Sequence, residues 1–155
     1  MKGVRKKIAT KLAADEEDVV FTTNASHGVN AVLRSLRLPA GSKALYLSEA
    51  YQMVKNTFYY LRDTFGQSLV EVPISFPTSN TAIINAVKAA LDADPTILFA
   101  SFSHIASVPA IILPVKELTA LCHSRGVMVQ LSLFSLSLSL SLSLSLSHSI
   151  LTLNR

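Results

Sequence analysis

Residues 43–74 read KALYLSEAYQMVKNTFYYLRDTFGQSLVEVPI, and they hold one complete unit of the pattern on which the fold rests. Lys43 to Leu47 is a short apolar run that follows Gly41-Ser42 and is closed by Ser48, which predicts a strand. From Tyr51 to Phe65 the apolar residues recur at helical spacing. Gly66 follows, the residue that most readily takes the left-handed backbone just past a helix end. Leu69 to Ile74 then predicts a second strand.

The same unit repeats downstream. Asn80 to Ala93 carries Ile83, Ile84, Val87 and Leu91 on one helical face. Asp94-Pro95 ends that helix, because the residue before a proline is pushed out of the helical region, and Thr96 to Phe102 predicts a strand. Pro114 opens a further helix with Val115, Leu118, Leu121 and Cys122 on one side, Arg125 at its end and Gly126 as its cap, and a last strand starts at Val127. Upstream, a helix opening near Ser26 places Val29, Val32, Leu33 and Leu36 on one face before Pro39-Ala40-Gly41 stops it. Val4, Ile8 and Leu12 mark an earlier amphipathic helix, and Val19-Val20-Phe21-Thr22 predicts a short β-branched and aromatic strand. Strands alternating with helices of this length need right-handed crossovers, so the fold class is α/β: a partial, doubly wound, mostly parallel sheet covered on both faces.

Composition narrows the function. The 155 residues suit one domain, and with half of them hydrophobic and 15% charged the chain is not disordered throughout; a single Cys excludes a disulfide scaffold. The net charge of +4 is local, since Lys2, Arg5, Lys6, Lys7 and Lys11 are followed by the acidic run Asp15, Glu16, Glu17 and Asp18. Without aromatic interleaving or a recognition motif, no nucleic-acid partner is expected. No continuous apolar stretch and small-residue cleavage site follow the basic N-terminus, so a cytoplasmic address is expected. No membrane partner is expected either, because the tail alternates Ser and Leu from Ser135 to Ser147 where a span needs about 20 apolar residues.

That tail sets the domain boundary near Gln130, with a folded region 1–130 and a low-complexity segment 131–155. Ser-Leu alternation is what a translated TC dinucleotide repeat produces, and Phe134 is what one extra T gives. The preferred reading is therefore translated non-coding sequence that is not native to the fold. A real strand with all Leu on one face is the competing reading.

The stretch Phe21-Thr22-Thr23-Asn24-Ala25-Ser26-His27-Gly28-Val29-Asn30 runs from predicted strand to helix through a small polar turn. Free amides at a helix start, the positive end of its dipole and a Ser hydroxyl together suit an anion. Asn and Ser before a helix are also ordinary caps, and both readings stand at this point. The adjacent Cys122-His123 is no nucleophile pair, because neighbouring helix residues point about 100° apart.

From about Val4 to Val129 the chain resembles the class V aminotransferases, pyridoxal-phosphate enzymes that include cysteine desulfhydrases, cysteine desulfurases and isopenicillin-N epimerases. Three segments carry the likeness: Val19 to Ser26 with Gly28-Val29-Asn30 behind it, Tyr46-Leu47-Ser48-Glu49-Ala50-Tyr51, and Ser103-His104-Ile105-Ala106-Ser107 ahead of Pro114-Val115. The resemblance implies the large domain of a fold-type I pyridoxal-phosphate enzyme, with a small-molecule amino acid as partner and a homodimer as assembly. It also implies that Asn24, Ala25 and Ser26 hold the cofactor phosphate, and that Tyr51 stacks on the pyridine ring. Tyr51 packing a helix against the sheet with Phe58 and Tyr59 is the plainer alternative. Ser107 falls where desulfurases carry an Asn against the cofactor's phenolic oxygen, and His104 lies beside it at a strand end, where a His also serves to satisfy loop carbonyls.

Two charged partners of the cofactor do not match. Where the family has an Asp for the pyridine nitrogen, Arg125-Gly126-Val127-Met128-Val129 is followed by Gln130-Leu131-Ser132, with Ser132 at the Asp position, and no Lys follows Lys116. The expectation is an inactive fragment of a desulfhydrase-, epimerase- or transaminase-like enzyme. The alternative is a non-catalytic chain, a truncated product or one that docks on an intact homologue. A generic nucleotide-binding domain lacks its Gly-rich phosphate loop.

Overall fold

The computed structural model of the chain describes residues 2–132, in two compact units divided at Thr23/Asn24. In the first, α1 spans Lys2–Leu12 and a single 3-10 turn spans Glu16–Asp18. The Asp15 carboxylate caps that turn by accepting from the Glu17 amide, and Arg5 reaches the Glu17 carboxylate at 2.8 Å. The acidic run is thus a capped turn paired to the basic helix, so most of the local charge cancels.

Val19 to Thr22 is not a strand. Val19 has extended backbone angles, yet no ladder includes it, and Val20 is 82% exposed. β-branched residues favour extended backbone by themselves, but a strand exists only where a second chain segment completes its hydrogen bonds.

The second unit holds α2 (Ala25–Ser35), β1 (Lys43–Leu47), α3 (Gln52–Phe65), β2 (Ser68–Val72), α4 (Asn80–Ala93), β3 (Ile97–Ser103), α5 (Val115–His123) and β4 (Met128–Ser132). The four strands form one all-parallel sheet in the order β2-β1-β3-β4. Gly66 takes φ 68° just past α3, as the sequence predicts, and Ser79 caps α4. The second strand is shorter than the expected Leu69 to Ile74: β2 ends at Val72, because Pro73 has no amide to extend the ladder. β4 continues through Leu131 and Ser132; the rest of the Ser-Leu tail lies outside the described residues.

Side chains alternate across each strand, so the register assigns them to two faces. Leu45, Leu47, Val72, Ala100 and Phe102 meet Ile83, Val87 and Leu91 of α4 and Val115, Leu118 and Cys122 of α5. Ala44, Tyr46 and Phe99 meet Val29 and Leu33 of α2 and Val54, Phe58 and Leu61 of α3. Cys122 lies inside the first of these layers, and burial pushes its thiol up to about 12, which removes the thiolate a nucleophile needs. His123, next to it, is exposed.

The amino ends of the central strands are tied together electrostatically. Lys43 Nζ stands 2.6 Å from Asp94 Oδ2, and Thr96 donates to Asp94 Oδ1 from both its amide and its hydroxyl. The Lys43 and Thr96 hydrogen bonds hold the Asp94 carboxyl down at about 2. An unfolded Asp titrates at about 3.9, so this contribution is complete above about pH 4 and is lost as the pH falls toward 2. Urea midpoints measured across that window should fall less steeply for Asp94→Asn than for the parent chain; parallel curves would show that Asp94 does not couple folding to pH.

Candidate functional site

The chain leaves β1 through α3 to reach β2 on one side, and leaves β3 through α5 to reach β4 on the other. α3 and α5 lie on opposite faces of the sheet, so the connections at the carboxyl ends of β1 and β3 diverge. Such a divergence opens a crevice, the place where open α/β sheets bind ligands. The loops bordering it carry Tyr51 after β1 and His104 and Ser107 after β3.

α2 brings its amino end to the same rim. Asn30 is the reason: its Nδ2 donates to Ser26 O at 3.1 Å and lies 2.9 Å from Met53 Sδ, while its Oδ1 accepts from Thr57 Oγ1 at 3.0 Å. One amide side chain thus joins the first turn of α2 to the first turns of α3, the helix that Tyr51 precedes. Sequence reading quoted Asn30 only as part of a motif. Its position at i+4 from Ser26 on the face toward α3 was the available signal, but recognising it required knowing which helix α2 packs against.

At the start of α2, Asn24 Oδ1 accepts from the His27 amide at 2.8 Å and Asn24 O accepts from the Gly28 amide at 3.1 Å. Asn24 is therefore a cap. Capping and anion binding are compatible here, because the cap takes the third and fourth amides while those of Ala25 and Ser26 make no hydrogen bond among the described residues. Tyr51 is 53% exposed, and the residue stacked inside is Phe58, against Tyr46 at 5.1 Å. Packing a helix on the sheet is thus the work of Phe58.

At the exit of β1, the Ser48 hydroxyl donates to Glu49 Oε1 and accepts from the Ile74 amide at 3.0 Å, which pins the ends of β1 and β2 together. Glu49 Oε2 is buried with no hydrogen-bond partner among the described residues, an acceptor left open on this rim.

The exit of β3 is a narrow loop. Ile105 pairs with Ile112, the Ala106 amide donates to Ile111 O at 2.9 Å, and Ser107 sits exposed at the tip. His104 is buried just past β3, where its amide donates to Ser132 O at 2.9 Å and its carbonyl accepts from the Leu113 amide at 2.9 Å. In register beside it, Ser101 and Ser103 pair with Gln130 and Ser132 on the face that carries Tyr46, and Ser101 Oγ donates to Gln130 Oε1 at 2.6 Å. The carboxyl ends of β3 and β4 therefore present a neutral polar row.

The structure gathers Ser26, Tyr51 and the ends of β1 and β3 on one rim. It supplies amide donors for an anion and an exposed aromatic ring, and it puts a neutral Ser132 where a charge is expected. The residues present fit the phosphate end and ring face of pyridoxal phosphate, and do not fit its ring nitrogen.

The sequence profile of the aminotransferase class-V family matches residues 1–135. A putative L-cysteine desulfhydrase of Oryza sativa subsp. japonica is 34% identical over 127 residues, covering 74% of this chain and 26% of that protein. Isopenicillin N epimerase of Streptomyces clavuligerus is 29% identical over 123 residues, 79% of this chain and 31% of the epimerase. The chain thus spans about a quarter to a third of the length of these relatives. Among solved structures, the cystine C-S lyase C-DES in complex with its product cysteine persulfide superposes with a TM-score of 0.74 at 18% identity, over 84% of this chain and 35% of the lyase. The Escherichia coli cysteine desulfurase superposes at 0.71 with 16% identity, over 83% of this chain and 32% of that one. These two show the fold, an α/β architecture shared with fold-type I pyridoxal-phosphate enzymes.

Proposed function

The chain belongs to the aminotransferase class-V family, and from that premise we propose that residues 24–132 are the cofactor-holding core of a pyridoxal-phosphate enzyme of the cysteine desulfhydrase kind, competent to bind but not to turn over. One observation carries this reading: the amides of Ala25 and Ser26 are unclaimed among the described residues, and Asn30 joins that first turn of α2 to the start of α3, the helix that Tyr51 precedes. In intact relatives the cofactor supplies an electron sink for bonds at the amino-acid Cα. In this chain the Ala25 and Ser26 amides and the Ser26 hydroxyl would hold its phosphate, with Asn24 keeping the turn in shape. Tyr51 would lie against the ring face, Ser107 would approach the phenolic oxygen, and buried His104 would back the loop that carries Ser107.

The substrate class follows the desulfhydrase relatives: small sulfur-bearing amino acids. Ser132 sets turnover outside the proposal, because it offers a neutral hydroxyl where the family has an Asp.

The test is calorimetric titration of pyridoxal phosphate into the chain and into Ser26→Ala. A hydrogen bond to a charged group is worth about 1.5–3 kcal/mol, so the variant should bind roughly tenfold more weakly or worse. Unchanged affinity would remove Ser26 from the site.

A further inference from the structure

At the opposite end of the sheet, the carboxyl ends of α2 and α3 enclose an apolar groove of about 210 Å³ against the first residues of β1. Leu36, Leu38 and Leu61 form its walls, with Phe58 beneath and Phe65 beside the mouth. An apolar cavity of about 150 Å³ already holds a benzene ring, so this groove has room for one bulky side chain. No carboxylate lines it.

The mouth is basic. Arg34 lies 4.1 Å from the centre of the Tyr60 ring and Arg37 lies 5.8 Å from that of Phe65, and neither has a carboxylate partner among the described residues. Arg37 Nη1 also donates to Arg34 O and Leu36 O, both at 2.9 Å, which fixes the guanidinium at the helix end and leaves its other N–H groups to point elsewhere. Arg62, over Tyr59, pairs with Asp63. Tyr60 and Phe65 meet edge to face at 6.0 Å and remain 40% and 60% exposed. Arg37 lines the slot and Arg34 lies three residues before it on the same helix end, each over an aromatic ring, which makes a surface already ordered for its occupant, so little further ordering is needed on binding.

We propose that this groove docks an acidic segment of a partner protein, with one bulky apolar side chain in the slot and its carboxylates on Arg34 and Arg37. Charge complementarity selects the partner: two unpaired arginines around an acid-free slot attract a carboxylate-rich peptide and repel a basic one. The groove lies at the amino ends of β1 and β2, away from the crevice, and does not depend on the cofactor reading.

The experiment is fluorescence anisotropy of a short dye-labelled peptide of Asp and Glu around a single Phe, titrated with the full chain. The peptide should bind, and more weakly as salt is added. The double variant R34E/R37E, changed only at exposed positions, should weaken binding at least about tenfold, because attraction becomes repulsion. Phe65→Ala, also at an exposed position, should weaken it severalfold. Affinity for pyridoxal phosphate should stay the same in both. The proposal falls if the acidic peptide does not bind, if R34E/R37E binds it equally, if a peptide with Ser in place of Phe binds as well, or if single-stranded oligothymidine binds more tightly.

Discussion

Given pyridoxal phosphate and cysteine, the chain should show no turnover above that of free cofactor, and borohydride reduction should leave no lysine labelled stoichiometrically. Charge and covalency both require this outcome. Ser132 stands beside Ser103 with its carbonyl accepting from the His104 amide, and among the described residues of β4 no side chain carries a negative charge to keep a ring nitrogen protonated. Losing one transition-state charge interaction costs on the order of 3–4 kcal/mol, a hundredfold or more in rate. Lysines of β1, α3 and α4 are also held by carboxylates. Lys43 pairs with Asp94 at the far end of the sheet, Lys55 with Glu71 at 3.2 Å and Lys88 with Asp92 at 2.6 Å. Peptide mapping of the pyridoxyl label decides the matter, since adventitious surface labelling spreads over several lysines. One fully labelled lysine together with amino-acid turnover would overturn the prediction.

Phe58→Ala should abolish or nearly abolish cooperative folding. The Phe58 ring is fully buried, stacks on Tyr46 at 5.1 Å with 15° between the planes, and belongs to the cluster that joins α2, α3 and the sheet. Removing a buried Phe costs about 3–5 kcal/mol, against a total stability of about 5–15 kcal/mol for an ordinary domain. Tyr51→Ala is the matched control: with its ring 53% exposed, the change should shift stability by no more than about 0.5 kcal/mol. Thermal and urea unfolding of the two variants reads both effects. If Tyr51→Ala were the more damaging, Tyr51 would be a packing residue and its place against a cofactor ring would be lost.

From sequence alone came the helices and the four strands of the sheet with most of their ends, because those signals are local. Asp94-Pro95 cannot continue a helix, Gly66 readily takes the φ of 68° that stops α3, and the 3.6-residue spacing of Ile83, Val87 and Leu91 places them on one face whatever that face meets. The resemblance to class V aminotransferases rested on residues contiguous in the chain, so it too was legible.

What the tertiary structure decided is everything that depends on a distant partner. Val19 to Thr22 has the composition of a strand, but composition does not supply a ladder, and no ladder among the described residues includes it. Tyr51 and Phe58 look alike as aromatics near one helix; only the sheet separates them, burying Phe58 against Tyr46 and leaving Tyr51 at the rim. Asn30 is an unremarkable polar residue until α2 lies along α3, when its single amide joins Ser26 to Met53 and Thr57. The strand order β2-β1-β3-β4, and with it the position of the crevice, follows from pairing between segments up to 55 residues apart in register, such as Ala44 with Phe99. Conformation along the chain is set by neighbours within a few bonds, whereas a site is set by which surfaces must be buried together, and that is settled only when the whole core closes.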